Sequence, residues 1–136
     1  MWRRRRPPDL PTILLAETND SLRLLLGKLL AEQGYRVLAA GTRQEVLEQL
    51  RVAPRIDLVI ADWGIRGMPV WDIVQETTWR RPGMPFIRLI EERTDALPVY
   101  GVDPTAEVLL QRPVTIIALL VAIEDLLSSK QPTSSP

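Results

Sequence analysis

Two carboxylates and one guanidinium stand where short apolar runs end. Glu17 follows the run Thr12 to Ala16 (TILLA), Asp62 follows Asp57 to Ala61 (DLVIA), and Arg112 comes just after Val108 to Leu110. A hard cation such as Mg²⁺ favours one or two carboxylates together with several waters. An arginine beside such a pair offsets the charge of a phosphate or of a second carboxylate. The chemistry open to this set is therefore metal-assisted handling of a phosphoryl group. The same residues have a plainer reading, in which Arg112 pairs with Asp62 and the cleft is inert. Asn19 or Asp20 then does no more than cap the helix that follows Glu17.

The rest of the composition removes other chemistries. The 136 residues include no cysteine and no histidine, which excludes disulfides, thiolate nucleophiles, cysteine-held metals and phosphohistidine carriage. The turn Glu17-Thr18-Asn19-Asp20 has no glycine, so the backbone lacks the close approach that a dinucleotide's phosphates demand. No nucleophile and base stand at a useful spacing, and an enzyme is not expected. Net charge is zero, which gives no reason to expect nucleic acid or an anionic membrane as a partner. Arg3 to Arg6 form a basic run, without which the remainder is acidic by four; such a run reads as a solvated tail. It leads into Pro7, Pro8 and Asp9, where a signal peptide would be apolar. The longest apolar stretch, Val114 to Ile123, contains Thr115 and is too short to span a bilayer. The cytoplasm is the expected location.

Residues as far apart as Glu17 and Arg112 meet only if a fold gathers strand ends along one edge. The pattern supplies such a fold. Thr12 to Ala16 suits a strand buried on both faces. Leu22, Leu25, Leu26, Leu29 and Leu30 then repeat at helical spacing, with Gly34 at the C-cap. Tyr35 to Ala40 is a second strand, and Val46, Leu47 and Leu50 mark a helix closed by Pro54. Asp57 to Ala61 is the third strand, after which Trp71, Val74 and Thr78 define one helix face. Phe86 to Ile90 is the fourth, with Arg88 as an oddity inside it, and Val108 to Leu110 the fifth. A last helix starts near Val114 and buries Ile116, Leu119, Leu120, Ile123 and Leu127. Between strands four and five, Pro98, Gly101 and Pro104 leave room only for a short or irregular helix. Strands alternating with helices predict a doubly wound, five-stranded parallel sheet in order 2-1-3-4-5, with helices on both faces. Ligands of such sheets bind beyond the carboxyl ends of the strands. Residues 1–11 and 128–136 are expected to be disordered tails around one domain over 12–127.

Four motifs in order carry a family resemblance. The segment from Ile13 to Arg23 (ILLAETNDSLR) resembles the opening of a response-regulator receiver domain. Asp57 to Asp62 with Arg66-Gly67-Met68 resembles the phosphoacceptor strand and its following loop. Pro85 to Ile90 resembles the fourth strand, and Arg112-Pro113 falls where the family has Lys-Pro. The resemblance implies that Asp62 is the phosphoacceptor and that Glu17, Asp62 and the Gly64 carbonyl hold Mg²⁺. It also implies a cis peptide before Pro113. Several positions depart from the pattern. Thr18 replaces the second acid of the metal pair, and Ile90 replaces the hydroxyl residue that contacts the phosphoryl group. Arg112 replaces the lysine, and Leu109 occupies the aromatic switch position.

The site is therefore expected to be degenerate, a pseudo-receiver with weak Mg²⁺ binding. The function implied is two-component signalling by protein contact, with little or no phosphorylation at Asp62. The partner would be a sensor histidine kinase or another signalling protein, and a homodimer is compatible with the same reading. The alternative is a conventional Mg²⁺-dependent regulator phosphorylated on Asp62 by a histidine kinase.

Overall fold

The computed structural model describes residues 10–62, 70–91 and 107–130. The short apolar runs form β1 (Thr12–Ala16), β2 (Arg36–Ala40), β3 (Leu58–Asp62), β4 (Phe86–Ile90) and β5 (Glu107–Gln111). They pair in parallel in the order β2-β1-β3-β4-β5. Four helices are described: α1 (Asp20–Glu32), α2 (Arg43–Val52), α3 (Val70–Arg80) and α4 (Ile116–Lys130). None of these is long and apolar enough to cross a membrane.

Period-two alternation divides the core into two layers. Leu14, Ala16, Val59, Ala61 and Phe86 face one way and pack on Val46 and Leu50 of α2 and on Ile73 and Val74 of α3. Ile13, Leu15, Leu58, Ile60 and Ile87 face the other way and meet Leu30 of α1 with Leu119 and Ile123 of α4. The sheet is thus covered on both faces, which is why its inner strands are almost purely apolar.

The helix ends follow local rules. Asn19 is the N-cap of α1, its side chain accepting from the Leu22 N–H at 2.9 Å. Asn19→Ala is expected to cost about 1 kcal/mol, visible as a lower urea midpoint at unchanged m-value. At the other end Gly34 has φ +93°. Its N–H bonds to the Ala31 carbonyl and the Tyr35 N–H to that of Leu30, a Schellman closure that only a residue at ease with positive φ completes.

Several sequence expectations are corrected. The third strand begins at Leu58, because the Asp57 carboxylate is taken by the Thr12 N–H at 2.8 Å and by Arg55. The inner face of α3 is Ile73, Val74 and Thr77, and Thr78 is only half-buried. Thr77 tolerates full burial by donating its hydroxyl to the Ile73 carbonyl at 2.6 Å. Helix α4 continues through 128–130, beyond the expected domain end at 127, since no proline intervenes before Pro132. Along the leucine stripe of α1, Leu30 is buried and Leu22, Leu26 and Leu29 are half-buried, while Leu25 is 53% exposed. The segment from Asp95 to Thr105, expected to be irregular, lies outside the described residues, as do residues 1–9.

Candidate functional site

The carboxyl edge of the sheet gathers three of the residues singled out from the sequence. Glu17 leaves β1, its N–H donating to the Ala40 carbonyl of β2 at 3.0 Å. Asp62 is the last residue of β3. Arg112 leaves β5, tied by its N–H to the Ile90 carbonyl at 2.8 Å, and its peptide bond to Pro113 is cis. The backbone at three strand ends thus fixes where these side chains start.

One guanidinium nitrogen serves both acids. Arg112 Nη2 lies 2.9 Å from Glu17 Oε1 and 3.1 Å from Asp62 Oδ1. The sequence expectation placed Arg112 on Asp62; the structure adds Glu17, which is 1% exposed and the more deeply held of the two. Arg112 Nε is buried with no hydrogen-bond partner among the described residues.

The electrostatics follow from this sharing. Burial pushes the Glu17 carboxyl above its ordinary range. The Arg112 hydrogen bond and the Asn19 N–H oppose this, while Asp62 adds to it through hydrogen bonding and like charge, and the net shift is upward. Burial alone would lower Arg112, but the bond to Glu17 and the charge of Asp62 outweigh it and raise it. The guanidinium of Arg112 thus lies between the two acids and neutralises part of the charge that would attract a dication.

A second arginine was not anticipated from the sequence. Arg23 Nη1 donates to the Glu17 backbone carbonyl at 2.8 Å, and Nη2 to Asp20 Oδ1 at 2.7 Å. Its guanidinium passes directly over Gly41, where a Cβ would collide with Nη1. The signal was there in principle, as Asp20 and Arg23 are at i,i+3 on a helix, but nothing in the sequence shows that Gly41 clears the path.

Among the described residues the remaining family positions contribute no charged group. Thr18 is half-buried and brings no charge. Ile90 is 4% exposed, one residue beyond the Leu89 that pairs with Asp62. Leu109 is half-buried and lies opposite Arg88 in the β4–β5 ladder. Gly64 lies outside the described residues. Arg88 itself is wholly buried, and Nε and Nη2 reach the two Glu107 carboxylate oxygens at 2.8 Å each. Arg88, Glu107 and Leu109 share the side of the sheet covered by α2 and α3, because Val108 and Leu110 pack in the opposite layer.

No protein-family profile matches the chain. It is 30% identical over 105 residues to the transcriptional regulatory protein AfsQ1 of Streptomyces coelicolor, covering 77% of this chain and 46% of that one. The transcriptional regulatory protein GlrR of Escherichia coli is 31% identical over 122 residues, which is 90% of this chain and 27% of the relative. The chain therefore spans less than half the length of either relative. Among solved structures, a response regulator receiver protein from Sinorhizobium medicae superposes with a TM-score of 0.80 at 25% identity. That match covers 91% of this chain and 99% of the other. Strand order, helix placement and an overlay that takes in nearly the whole of that receiver show that this chain has the fold of a response regulator receiver domain.

Proposed function

We propose that this receiver domain acts in two-component signalling by holding another protein, in one conformation, with phosphorylation at Asp62 slow or absent. The observation that carries the reading is the single Arg112 nitrogen set between Glu17 and Asp62. A phosphoryl group arriving at Asp62 would have to displace that guanidinium. It would find an aliphatic side chain at Ile90 instead of a donor. Phosphoryl transfer gains nearly all its rate from positioning and charge neutralisation, so both losses act directly on it.

The donor set fits Mg²⁺ poorly. Two carboxylates already share the Arg112 guanidinium, which offsets the charge that would draw a dication. No step of the proposed function is routed through the metal. The partner is a sensor histidine kinase or another signalling protein, met through side chains this surface already presents.

The test is intact-mass measurement after incubation with Mg²⁺ and acetyl phosphate, beside Asp62→Asn. Little or no added phosphoryl mass is expected over an hour. Rapid stoichiometric labelling that disappears in Asp62→Asn would overturn the proposal in favour of the conventional phospho-switch. Should labelling be absent, the Thr18→Asp, Ile90→Thr double variant restores a carboxylate and a hydroxyl together. It is expected to gain labelling if those losses, and not the fold, silence the site.

A further inference from the structure

The ends of α2 and α3 carry a feature that helix stability does not explain. Trp79, in the last turn of α3, is 76% exposed, and the guanidinium carbon of Arg80 lies 5.1 Å from the centre of its ring. Beside it is a depression of about 360 Å³ lined by Leu50, Arg51, Trp79, Arg80 and Arg81. Every charged residue lining it is an arginine. Val52, next to Arg51 in the chain, is 56% exposed. Helix α2 ends shortly before β3 begins, and α3 shortly before β4, so this surface lies at the amino edge of the sheet, opposite the edge that holds Asp62.

Part of the arrangement has a plain structural reason. Arg81 Nε and Nη2 donate to the Leu50 carbonyl at 3.2 and 2.9 Å, and Nη2 donates to the Ala53 carbonyl at 2.5 Å. Arg81 thereby closes the C-terminus of α2 with a cation, where the helix dipole favours one. Arg51 pairs with Glu48, and Arg80 with Glu76 at 3.1 Å, each about one turn back on its own helix. Such exposed pairs add little to stability. Two things are left over. Among the described residues Arg81 is in no ion pair, so three arginines stand against two glutamates. An indole in water serves neither the cap nor the pairs.

Tryptophan and arginine are the side chains that most often carry the affinity of a protein–protein contact. These arginines are already held in place, which lowers the entropy that must be given up when a partner meets them. A carboxylate suits the guanidinium fork, and a depression walled by Leu50 and Trp79 suits one apolar side chain. We infer that the α2–α3 end binds an acidic segment of another protein, with carboxylates on Arg51, Arg80 and Arg81 and an apolar side chain against Trp79. The inference rests on the protein-contact reading and gives it a surface and a partner chemistry. Single-stranded nucleic acid brings a charge at every residue, more than one uncompensated arginine balances. A flat bilayer brings no side chain to enter the depression.

The probe is an acetylated, amidated 12-residue peptide with two central leucines flanked by aspartates and glutamates. A control peptide carries asparagine and glutamine in place of those acids. Both are titrated into the isotopically labelled full chain while amide and indole N–H shifts are followed. The acidic peptide is expected to bind, moving the Trp79 indole and the amides around Arg51 and Arg80, and the control at least tenfold more weakly. Trp79→Ser removes an exposed ring and should weaken binding at least fivefold at an unchanged urea midpoint. The Arg51→Gln, Arg80→Gln double variant should weaken it at least tenfold, with Arg81 left in place to close α2. Absence of binding, equal binding of the two peptides, or shifts located elsewhere would overturn the inference. So would tighter binding of a 12-nucleotide oligothymidylate or of phosphatidylglycerol vesicles, or Trp79 shifts that follow chain concentration before peptide is added, the mark of a second copy in the site. Phosphodonor labelling reads Asp62 at the other edge, so failure here and failure of the silent-site reading are told apart.

Discussion

Arg88→Met is expected to destabilise the fold by about 3–5 kcal/mol, the cost of removing one member of a buried ion pair. Arg88 has 1% of its side chain exposed and Glu107 has 11%, and the two meet through a pair of parallel bonds. Taking away the guanidinium leaves the largely buried Glu107 carboxylate without the two donors it now has from Arg88. Glu107→Gln should cost less, since an amide oxygen still accepts one bond and no charge is stranded. The informative variant is Arg88→Met with Glu107→Leu. Replacing both partners by apolar side chains of similar size is often neutral or stabilising, so the double variant should recover most of the single loss. Urea unfolding of the three variants checks this. A double variant as unstable as Arg88→Met would show that the pair aligns β5 on β4 in a way apolar packing does not replace.

Arg112→Met is the second large effect, and it carries a pH signature. Two charge-assisted contacts are lost from a partly exposed arginine, for which about 2 kcal/mol at pH 7 is the expected scale. The sign with pH follows from Glu17. Its carboxyl is raised in the folded chain by burial, with Arg112 opposing and Asp62 adding. A raised folded value means that the folded state is favoured when Glu17 is protonated, and that this contribution is lost as pH rises through the folded value. Removing Arg112 takes away the largest opposing influence, so Glu17 is raised further in the variant. The stability gap between parent and variant should therefore widen as pH rises from the acid side and close as pH falls. Mg²⁺ should also raise the melting temperature of Arg112→Met more than that of the parent, because the guanidinium no longer competes for the two carboxylates. A gap independent of pH, or an equal Mg²⁺ response, would remove Arg112 from the role of resident counter-ion.

The sequence alone determined the sheet. Period-two runs such as TILLA and DLVIA, alternating with helical spacing, permit few arrangements once crossovers must be right-handed, and the strand order follows. It also determined which residues reach the sheet's edge, because Glu17 and Arg112 each follow a strand directly and Asp62 ends one. Only the tertiary structure decided how those residues share charge. Glu17 and Arg112 are 95 positions apart, and no local pattern states that one nitrogen will lie within 3.1 Å of two different carboxylates. Arg88 likewise reads as an error in an apolar strand until Glu107, on the adjacent strand and the same face, supplies both acceptors. The leucine stripe of α1 was legible as a helix face, but the graded exposure along it, from buried Leu30 to exposed Leu25, was not. Periodicity records which side chains share a side; whether that side is buried depends on how far α4 leans across it. That is set by the packing of Leu119, Ala122 and Ile123 against β1, β3 and β4, and it appears only when the layers are assembled.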